Sequence, residues 1–199
     1  MGAITDLIMG PLDGDSEALA QALRRRDPDT LDTLIERYHY RLLRYLLSLT
    51  RSRATAEDIF QETWLRVLER GHQYNGRSRF DTWLFTIARN LVIDRLRCEH
   101  PQVSLDALLD AGAECPGAGV EDAAESAQEL VSRKEEGERV SGALGNLPAT
   151  QREALLLRYQ EDLSLEEIAQ VSSTPLSTVK SRIYRGLELL RRALDGERL

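Results

Sequence analysis

Cysteine is scarce in this chain of 199 residues. Its two cysteines, Cys98 and Cys115, are too few and too isolated to form a disulfide framework or a zinc site. Two ordinary thiols are the simpler interpretation. A metal-site fragment at Cys98 and His100, or a redox switch between the two cysteines, stays an open alternative.

Long apolar runs are also missing. No stretch of about 18 apolar residues occurs, which excludes a membrane-spanning helix. The first 15 residues have neither the basic segment nor the apolar segment of a secretory signal. We therefore expect a cytoplasmic protein that does not insert into membranes.

The common catalytic signatures are absent as well. The three histidines are scattered, the carboxylates show no paired arrangement, and no nucleophile-elbow, phosphate-loop or zinc-protease motif occurs. The sequence therefore predicts a protein that is not an enzyme and that needs no cofactor and no metal.

Period-two alternation is absent, and glycine and proline cluster at breaks between helical patterns. We therefore predict an all-α fold. Ser16 and Thr55 are the expected N-caps of the first and third helices, and Gly71 is expected to end the third. The predicted helices span residues 16–26, 30–50, 55–70, 81–98, 124–145 and 150–160, and two shorter helices follow.

Charge divides the chain unevenly. The net charge is −7, but residues 101–140 alone hold ten acidic and three basic residues, also a net −7. Residues 101–123 are rich in Gly, Ala, Asp and Pro, which is typical of a flexible linker. We divide the chain into an N-terminal extension (1–15), a first domain (16–100), this acidic linker (101–123) and a second domain (124–199).

The most informative stretch runs from Leu163 to Arg192 and predicts two short helices joined by a tight turn. Ser164 and Glu167 form a capping-box signature at the start of the first helix. Thr174 is the expected cap of the second helix, with Pro175 at its first position. Apolar residues at helical spacing give the second helix a core-facing stripe, which comprises Val179, Ile183, Leu187, Leu190 and Leu194.

The opposite side of this last helix suits the major groove of DNA. It carries Ser177, Lys180, Ser181, Tyr184 and Arg185, and residues 176–192 hold five basic residues and one acidic residue. Small hydroxyls allow close approach, and the cations reach base edges or phosphates. The pattern predicts a DNA-binding helix-turn-helix, although a merely solvated basic face remains an alternative on spacing alone.

Two further surfaces in the first domain are candidates for binding. On helix 55–70, Ile59, Phe60, Thr63, Val67 and Leu68 are predicted to pack inward. A mixed polar face around Leu65 could dock on a protein or simply be solvated. In the segment 72–98, aromatic residues alternate with arginines, as in proteins that bind single-stranded nucleic acid. Trp83 by itself is better explained as a core residue, whereas Tyr74, in a glycine-containing loop, is expected to expose its ring.

Four blocks of the chain resemble, in order and spacing, those of the extracytoplasmic-function (ECF) sigma factors, the two-domain members of the sigma-70 family. The resemblance extends from about residue 16 to residue 194, whereas residues 1–15 lie outside it. The turn around Ser173 lacks the glycines of many relatives, so the preferred −35 sequence does not transfer. The blocks are AEDIFQETWLRVLER (56–70), YNGRSRFDTWLFTIARNLVIDRLR (74–97), LPATQREALLLRYQEDLSLEEIAQ (147–170) and TPLSTVKSRIYRGLELLRR (174–192).

The resemblance implies that the first domain is a sigma region 2 bundle, which binds core RNA polymerase and melts the −10 element. Its docking residues for the clamp helices of the β′ subunit would be Asp58, Gln61, Glu62 and Leu65. Tyr74 and Asn90 match the positions that hold a flipped non-template base, since a ring stacks on the base and an amide recognises its edge. The full set of implied −10 residues is Tyr74, Arg77, Ser78, Phe80, Trp83 and Asn90.

The second domain resembles sigma region 4, which recognises the −35 element as duplex and meets the β flap of the polymerase. The acidic linker would thread polymerase channels that normally hold nucleic acid. The implied partners are core RNA polymerase, promoter DNA and a separate anti-sigma factor. The implied −35 residues are Arg158, Glu166, Ser177, Lys180, Ser181, Tyr184 and Arg185.

Two other functions compete with a sigma factor. A stand-alone helix-turn-helix repressor would bind duplex DNA tightly as a dimer, but the sequence shows no obvious dimerisation helix. An antagonist built from degenerate sigma domains would not keep the basic face of Lys180 and Arg185 together with Tyr74 and Asn90.

Overall fold

The computed structural model describes residues 16–99 and 139–196, and within these ranges all regular elements are helices. The all-α prediction is therefore confirmed. The N-terminal extension, Cys115, the acidic linker and most of the predicted helix 124–145 lie outside the described residues. The elements are α1 (Ser16–Arg25), α2 (Pro28–Thr50), α3 (Arg53–Arg70), a 3₁₀ turn (Gly71–Gln73), α4 (Phe80–Glu99), α5 (helical at 139–145), α6 (Ala149–Tyr159), α7 (Leu165–Ser172) and α8 (Leu176–Leu194).

The long helix α2 organises the first unit, residues 16–99. Asp27 is its N-cap, and the Asp27 carboxylate accepts a hydrogen bond from the Thr30 backbone N–H at 3.0 Å. Hydrogen bonds from Thr30 lower the pKa of Asp27. One apolar stripe of α2 faces the core, because all of its members except the half-buried Ile35 are buried. These members are Leu31, Leu34, Tyr38, Leu42, Tyr45, Leu46 and Leu49.

The start of α3 differs from the prediction. Ser52, not Thr55, is the N-cap, and its hydroxyl accepts from the Thr55 N–H at 3.3 Å. Thr55 therefore occupies the third helical position. A serine three residues earlier can satisfy the same unpaired N–H groups, and it starts the helix two residues sooner than predicted.

The second unit, residues 139–196, is built around α6. Leu155 and Leu157 of α6, Ile168 of α7, and Val179 and Ile183 of α8 are all buried. The predicted core stripe of α8 is correct at its start but wrong at Leu187, which is 36% exposed. Leu190 and Leu194 are half-buried. The stripe is thus less buried towards the C-terminal end of α8, although Leu190 still packs against the core.

The two units pack against each other. Helix α4 contacts α7, and α2 contacts α6, so the buried apolar residues of both units form one continuous core. The sequence predicted two domains joined by a linker but not this contact between them. None of the helices in the described ranges combines the length and the hydropathy that crossing a membrane needs.

Candidate nucleic-acid and docking surfaces

The outer face of α8 is presented to solvent as the sequence predicts. Ser177, Lys180, Tyr184 and Arg185 are exposed, and Tyr184 keeps 73% of its surface accessible. Ser181 is half-buried and donates to the Thr178 carbonyl at 3.2 Å. The face therefore combines two cations, an aromatic ring and small hydroxyls, a set suited to phosphates and base edges.

The helix-turn-helix that presents this face begins at Ser164, the N-cap of α7. Its hydroxyl accepts from the Glu167 N–H at 3.2 Å, and the Glu167 carboxylate accepts from the Ser164 N–H at 2.8 Å. This is the predicted capping box, and it fixes the start of α7. Between the two helices, Ser173 adopts a left-handed conformation with φ of 51°.

The predicted cap of α8 is wrong. Pro175 occupies the N-cap position, so no side chain caps the helix, and Leu176 is its first residue. The Thr174 hydroxyl is hydrogen-bonded instead to the Ser172 hydroxyl at 2.7 Å. Because Ser172 ends α7, this bond ties Thr174 to the preceding helix.

Close helix packing fixes the orientation of α8 against α6. Gly186 is buried, and a Cβ at this position would lie 3.1 Å from the Leu155 side chain. An alanine there would require the Leu155 side chain to shift by a few tenths of an ångström. The glycine therefore lets α8 pack closely against α6.

The cations of α8 differ along the helix in whether they form ion pairs. Among the described residues, Lys180 and Arg185 form no ion pair, whereas Arg191 and Arg192 pair with acidic residues of the same helix end. Unpaired cations attract a phosphate backbone without first giving up a partner. The electrostatic properties of the helix therefore favour its N-terminal half as the contact with DNA.

Arg158 and Glu166 flank this face differently. Glu166 is exposed in the first turn of α7. Arg158 is half-buried and donates to the Leu163 carbonyl at 2.9 Å, which braces the loop before α7. Glu166 is available for contact, whereas Arg158 already has a structural bond.

Helix α3 carries the candidate protein-docking face. Asp58, Gln61 and Leu65 are exposed, and Leu65 keeps 53% of its surface accessible. Glu62 is half-buried and pairs with Arg66 at 3.0 Å. The face is thus an exposed leucine surrounded by acidic and amide groups, as predicted.

Leu68 also belongs to this face, and this corrects its predicted position. It was predicted to pack inward but is 38% exposed, whereas Ile59, Thr63 and Val67 are buried and Phe60 is half-buried. Residues three apart lie on neighbouring positions of a helix surface, so Leu68 extends the apolar patch of Leu65. The spacing of three residues from Leu65 is the feature of the sequence that indicates its place on this face.

The loop and the start of α4 depart most from expectation. The Tyr74 ring, predicted to be exposed, is buried, and its hydroxyl donates to the Ser78 carbonyl at 2.9 Å. Burial raises the pKa of Tyr74. The ring packs against Phe80 and Trp83 at centroid distances of 5.7 and 5.3 Å. We call Tyr74, Phe80 and Trp83 the ring cluster.

Helix α1 lies against the loop that carries Tyr74. Gly76 has φ of +72°, and a Cβ there would lie 2.8 Å from the Ser16 carbonyl oxygen. Only glycine combines this backbone conformation with so close an approach. The loop is therefore pinned against the start of α1, which closes the space around Tyr74.

The remaining −10 candidates are more accessible. Arg77 and Asn90 are exposed, and Ser78 and Trp83 are half-buried. Asn90 follows Trp83 by seven residues on α4, which places it on the same side of the helix about 10 Å further along. The structure thus brings Tyr74, Phe80 and Trp83 together and leaves Asn90 two turns away.

A buried polar group supports the start of α4. The Tyr38 hydroxyl donates to the Asp81 carboxylate, and Arg41 pairs with the same carboxylate at 3.1 Å. Burial, and then the charge of Asp81, raises the pKa of Tyr38. The Arg41 guanidinium also lies over the Tyr38 ring, 4.9 Å from its centroid. Residues 16–99 and 139–196 contain no group of three or more His, Cys, Asp or Glu that could hold a metal ion.

Comparison with known families finds two matches along the chain. The family described as Sigma-70 region 2 matches residues 34–101, and the family described as Sigma-70, region 4 matches residues 137–190. The first range contains α3, the ring cluster and α4, and the second contains α7 and most of α8.

Individual relatives agree with these matches. The ECF RNA polymerase sigma factor SigW of Bacillus subtilis (strain 168) is 31% identical over 174 residues, which cover 86% of this chain and 92% of the relative. The RNA polymerase sigma-H factor of Pseudomonas aeruginosa is 31% identical over 181 residues, which cover 90% and 93%.

Two examples represent the solved structures that share the fold. One is the sigma factor RpoE in complex with the anti-sigma factor NepR from Bartonella quintana, with a TM-score of 0.64, 24% identity, and coverage of 84% of this chain and 98% of that chain. The other is CnrH in complex with the cytosolic domain of CnrY, with a TM-score of 0.62, 20% identity, and coverage of 92% and 100%.

Proposed function

Because the chain belongs to the ECF sigma factors of the sigma-70 family, we propose that the surfaces described above are its promoter-recognition and polymerase-docking sites. As a sigma factor, the protein is a transcription initiation factor of RNA polymerase and not an enzyme. Family membership also decides against the stand-alone repressor.

The −35 element is recognised as duplex by the outer face of α8. The observation that supports this assignment is the pair of unpaired, exposed cations, Lys180 and Arg185, on either side of the exposed Tyr184. Ser177 and Ser181 allow the helix to approach the groove closely. Glu166 adds a contact from α7, and Arg158 positions the loop between α6 and α7.

The −10 element is melted and held by α4 and the loop before it. Asn90 supplies an exposed amide for a base edge, and Arg77 supplies a cation for the backbone. Tyr74 is buried in the ring cluster. Stacking a flipped base on it therefore requires the loop to move away from α1.

Core polymerase docks on the face of α3 formed by Asp58, Gln61, Glu62 and Leu65, and the clamp helices of β′ are its partner there. The exposed leucine gives an apolar anchor, and the polar groups around it give orientation. The second unit meets the β flap.

An anti-sigma factor and a cytoplasmic location complete the proposal. The sigma factor RpoE, which shares this fold, is found in a complex with the anti-sigma factor NepR, and this supports the same class of partner here. A cytoplasmic location follows from the place where RNA polymerase acts on the chromosome.

The direct test is to mix the purified chain with bacterial core RNA polymerase, separate complexes by size exclusion, and run transcription on genomic fragments. A one-to-one complex that makes transcripts from specific start sites is expected. Tight binding to duplex DNA alone, with no polymerase complex, contradicts the proposal.

A variant of the docking face sharpens this test. Leu65→Ser is expected to weaken core binding by about tenfold or more, because a central apolar anchor is lost. Tyr40→Ser is the matched control, since Tyr40 is also an exposed apolar residue, at 77%, but lies on α2. Equal loss of binding in both variants would remove Leu65 from the interface.

A further inference from the structure

Four exposed arginines lie where the end of α1 meets the end of α3. Gly71, which follows α3, packs against Leu23 of α1, since a Cβ on Gly71 would lie 3.2 Å from the Leu23 carbonyl oxygen. This contact places the last residue of α3 beside the last turn of α1. We call the four residues the arginine patch, and its members are Arg24, Arg25, Arg26 and Arg70.

The charges of the arginine patch are unpaired. Within residues 16–99 and 139–196, its four side chains form neither an ion pair nor a hydrogen bond. Arg53, at the other end of α3, shows the contrast, because it pairs with Glu57 at 2.8 Å. Acidic residues follow the patch in the sequence, but the carboxylate of Asp27 accepts from Thr30 as the cap of α2. The patch therefore presents cations that need not give up a partner before they bind an anion.

The backbone at Arg26 shows that a cation is kept there at a cost. Its φ is 53°, its N–H donates to the Leu23 carbonyl at 3.2 Å, and the Asp27 N–H donates to the Ala22 carbonyl at 3.1 Å. This turn ends many helices and favours glycine at the left-handed position. A residue with a Cβ is strained there, so the arginine points to a use of its charge.

Local structure does not account for the side chain of Arg26. Arg51 also has a left-handed backbone, with φ of 52°, but its guanidinium donates to the Gly145 carbonyl and so has a structural role. Arg26 has no such bond among the described residues. The dipole of α1 favours cations at its C-terminal end, and Arg24 and Arg25 already supply two in the last turn.

Helix α1 connects the arginine patch to the candidate −10 loop. Its first residue, Ser16, lies against Gly76 of the loop, and Leu23 lies against Gly71. Ser16 and Leu23 are seven positions apart, which is about 10 Å along the helix. Arg77, exposed beside Gly76, and the arginine patch therefore stand at opposite ends of α1.

This separation suits a chain of regularly spaced anions rather than one small anion. Charges recur every 3.4 Å or so along one strand of duplex DNA, so sites about 10 Å apart are spanned by about three nucleotides. A single phosphate or carboxylate cannot reach both ends of α1. A DNA strand that Arg77 holds at the −10 element has its neighbouring phosphates within reach of the patch.

We propose that the arginine patch is a second DNA-backbone site, which binds phosphates of the promoter next to the −10 element without reading their sequence. This inference rests on the proposed function, since Arg77 and the loop are assigned there to the −10 element. Phosphate contacts of this kind set the position of DNA on a protein and add affinity that falls as salt rises.

The test measures binding of promoter DNA by the complex of this chain with core polymerase over a range of salt concentrations. The probe is a promoter fragment obtained in the transcription test, premelted at the −10 element by mismatches, and fluorescence anisotropy follows binding. The triple variant Arg24→Ala, Arg25→Ala, Arg26→Gly should bind about tenfold or more weakly. Its plot of log affinity against log salt should be flatter by about 2 in slope, since fewer counterions are released.

A second triple variant is the matched control. Arg53→Ala, Arg191→Ala, Arg192→Ala removes the same charge from exposed arginines that pair with acidic residues of their own helices or helix ends. Its salt slope should equal that of the unsubstituted chain. Arg70 is left in place in both variants, because it lies on α3, which carries the polymerase-docking face.

Arg26→Gly alone separates a binding role from a structural one. Glycine relaxes the left-handed backbone, so the melting temperature should not fall. The salt slope should nevertheless become flatter by about 1, because one phosphate contact is lost. Unchanged promoter binding with a changed melting temperature would assign Arg26 to structure alone and overturn its part in the site.

Trimming the DNA tests where the contact lies. On a fragment cut back to the −10 element, the first triple variant and the unsubstituted chain should bind alike. A difference that persists on this fragment would place the contact inside the −10 element and overturn a flanking site.

Two further results would overturn the proposal. One is a salt slope of the first triple variant equal to that of the control. The other is weaker binding to core polymerase with an unchanged salt slope, which would make the arginine patch a protein contact. In both cases the unsubstituted chain still directs specific transcripts, whereas a chain that yields none overturns the proposed function instead.

Discussion

The two candidate DNA surfaces differ in how ready they are for a ligand. The outer face of α8 stands in solvent, with Tyr184 73% exposed and two unpaired cations beside it. The ring cluster of the first unit is closed, with Tyr74 only 2% exposed and its hydroxyl bonded to the backbone. Under the proposed function, duplex DNA would meet a preformed surface, whereas a separated strand would meet a site that has to rearrange.

The largest expected difference is between the two tyrosines. Tyr74→Ala should lower the free energy of unfolding by about 3 kcal/mol, because it removes a buried ring from the cluster. Tyr184→Ala should change it by less than about 0.5 kcal/mol, since the exposed ring has little packing to lose. Urea unfolding of both variants measures the contrast. Similar losses would show that the two rings have similar environments.

Arg185→Ala tests the preformed surface. The loss of a cation that contacts a base edge or phosphate should cost about 1–3 kcal/mol in binding to −35 duplex. Arg191→Ala is the control, because Arg191 is equally basic but lies near the C-terminal end of α8 and pairs with Asp195 at 3.6 Å. Fluorescence anisotropy with cognate and scrambled duplexes measures both. Equal binding of the two duplexes by the unsubstituted protein would contradict the assignment of Arg185 to the −35 contact.

Asn90→Ala tests the site that rearranges. Loss of an amide contact to a base edge should reduce −10 selectivity by about 1–2 kcal/mol while core polymerase binding stays the same. Gln73→Ala serves as the control, since Gln73 is an exposed amide in the 3₁₀ turn. Promoter opening can be followed by permanganate footprinting. Reduced core affinity with normal opening would contradict a role for Asn90 in the pocket.

The smallest effect concerns the cap that fixes the start of α7. Ser164→Ala removes half of the capping box and should lower the free energy of unfolding by about 1 kcal/mol. Ser177→Ala is the same substitution at an exposed position in the first turn of α8 and should leave stability nearly unchanged. Thermal unfolding compares them, and an equal shift in both would argue against the cap.

The sequence predicted the helix-turn-helix better than the ring cluster, and the reason is physical. Ser164 and Glu167 act locally, within one turn of helix, so their spacing is enough to predict the bonds that the structure contains. The outward position of Lys180 and Arg185 likewise follows from the period of a single helix.

Tyr74 could not be placed in the same way. An aromatic residue in a glycine-containing loop is compatible with an exposed ring or a buried one. The choice depends on α1, whose Ser16 lies 60 residues earlier in the chain and approaches Gly76 closely. Contacts between distant segments leave no periodic signal in the sequence.

The buried ion pair between Arg89 and Glu153, which joins the two units, was not predicted for the same reason. Arg89 and Glu153 sit on separate helices, and each looks like an ordinary charged residue in its own pattern. Charged side chains are almost never fully buried unless they are paired, so local pattern alone predicts that both are exposed. Only the packing of α6 against the first unit, in which α2 and α4 are neighbours, shows that they meet.

Hydroxyl-radical labelling of Tyr74 and Tyr184, read by mass spectrometry, tests the contrast between the two surfaces most directly. In the free chain, Tyr184 should be oxidised rapidly and Tyr74 should be protected. In a complex of the chain, core polymerase and promoter DNA, Tyr184 should become protected. Equal labelling of the two rings in the free chain, or a Tyr184 that stays reactive on the promoter, would contradict the account.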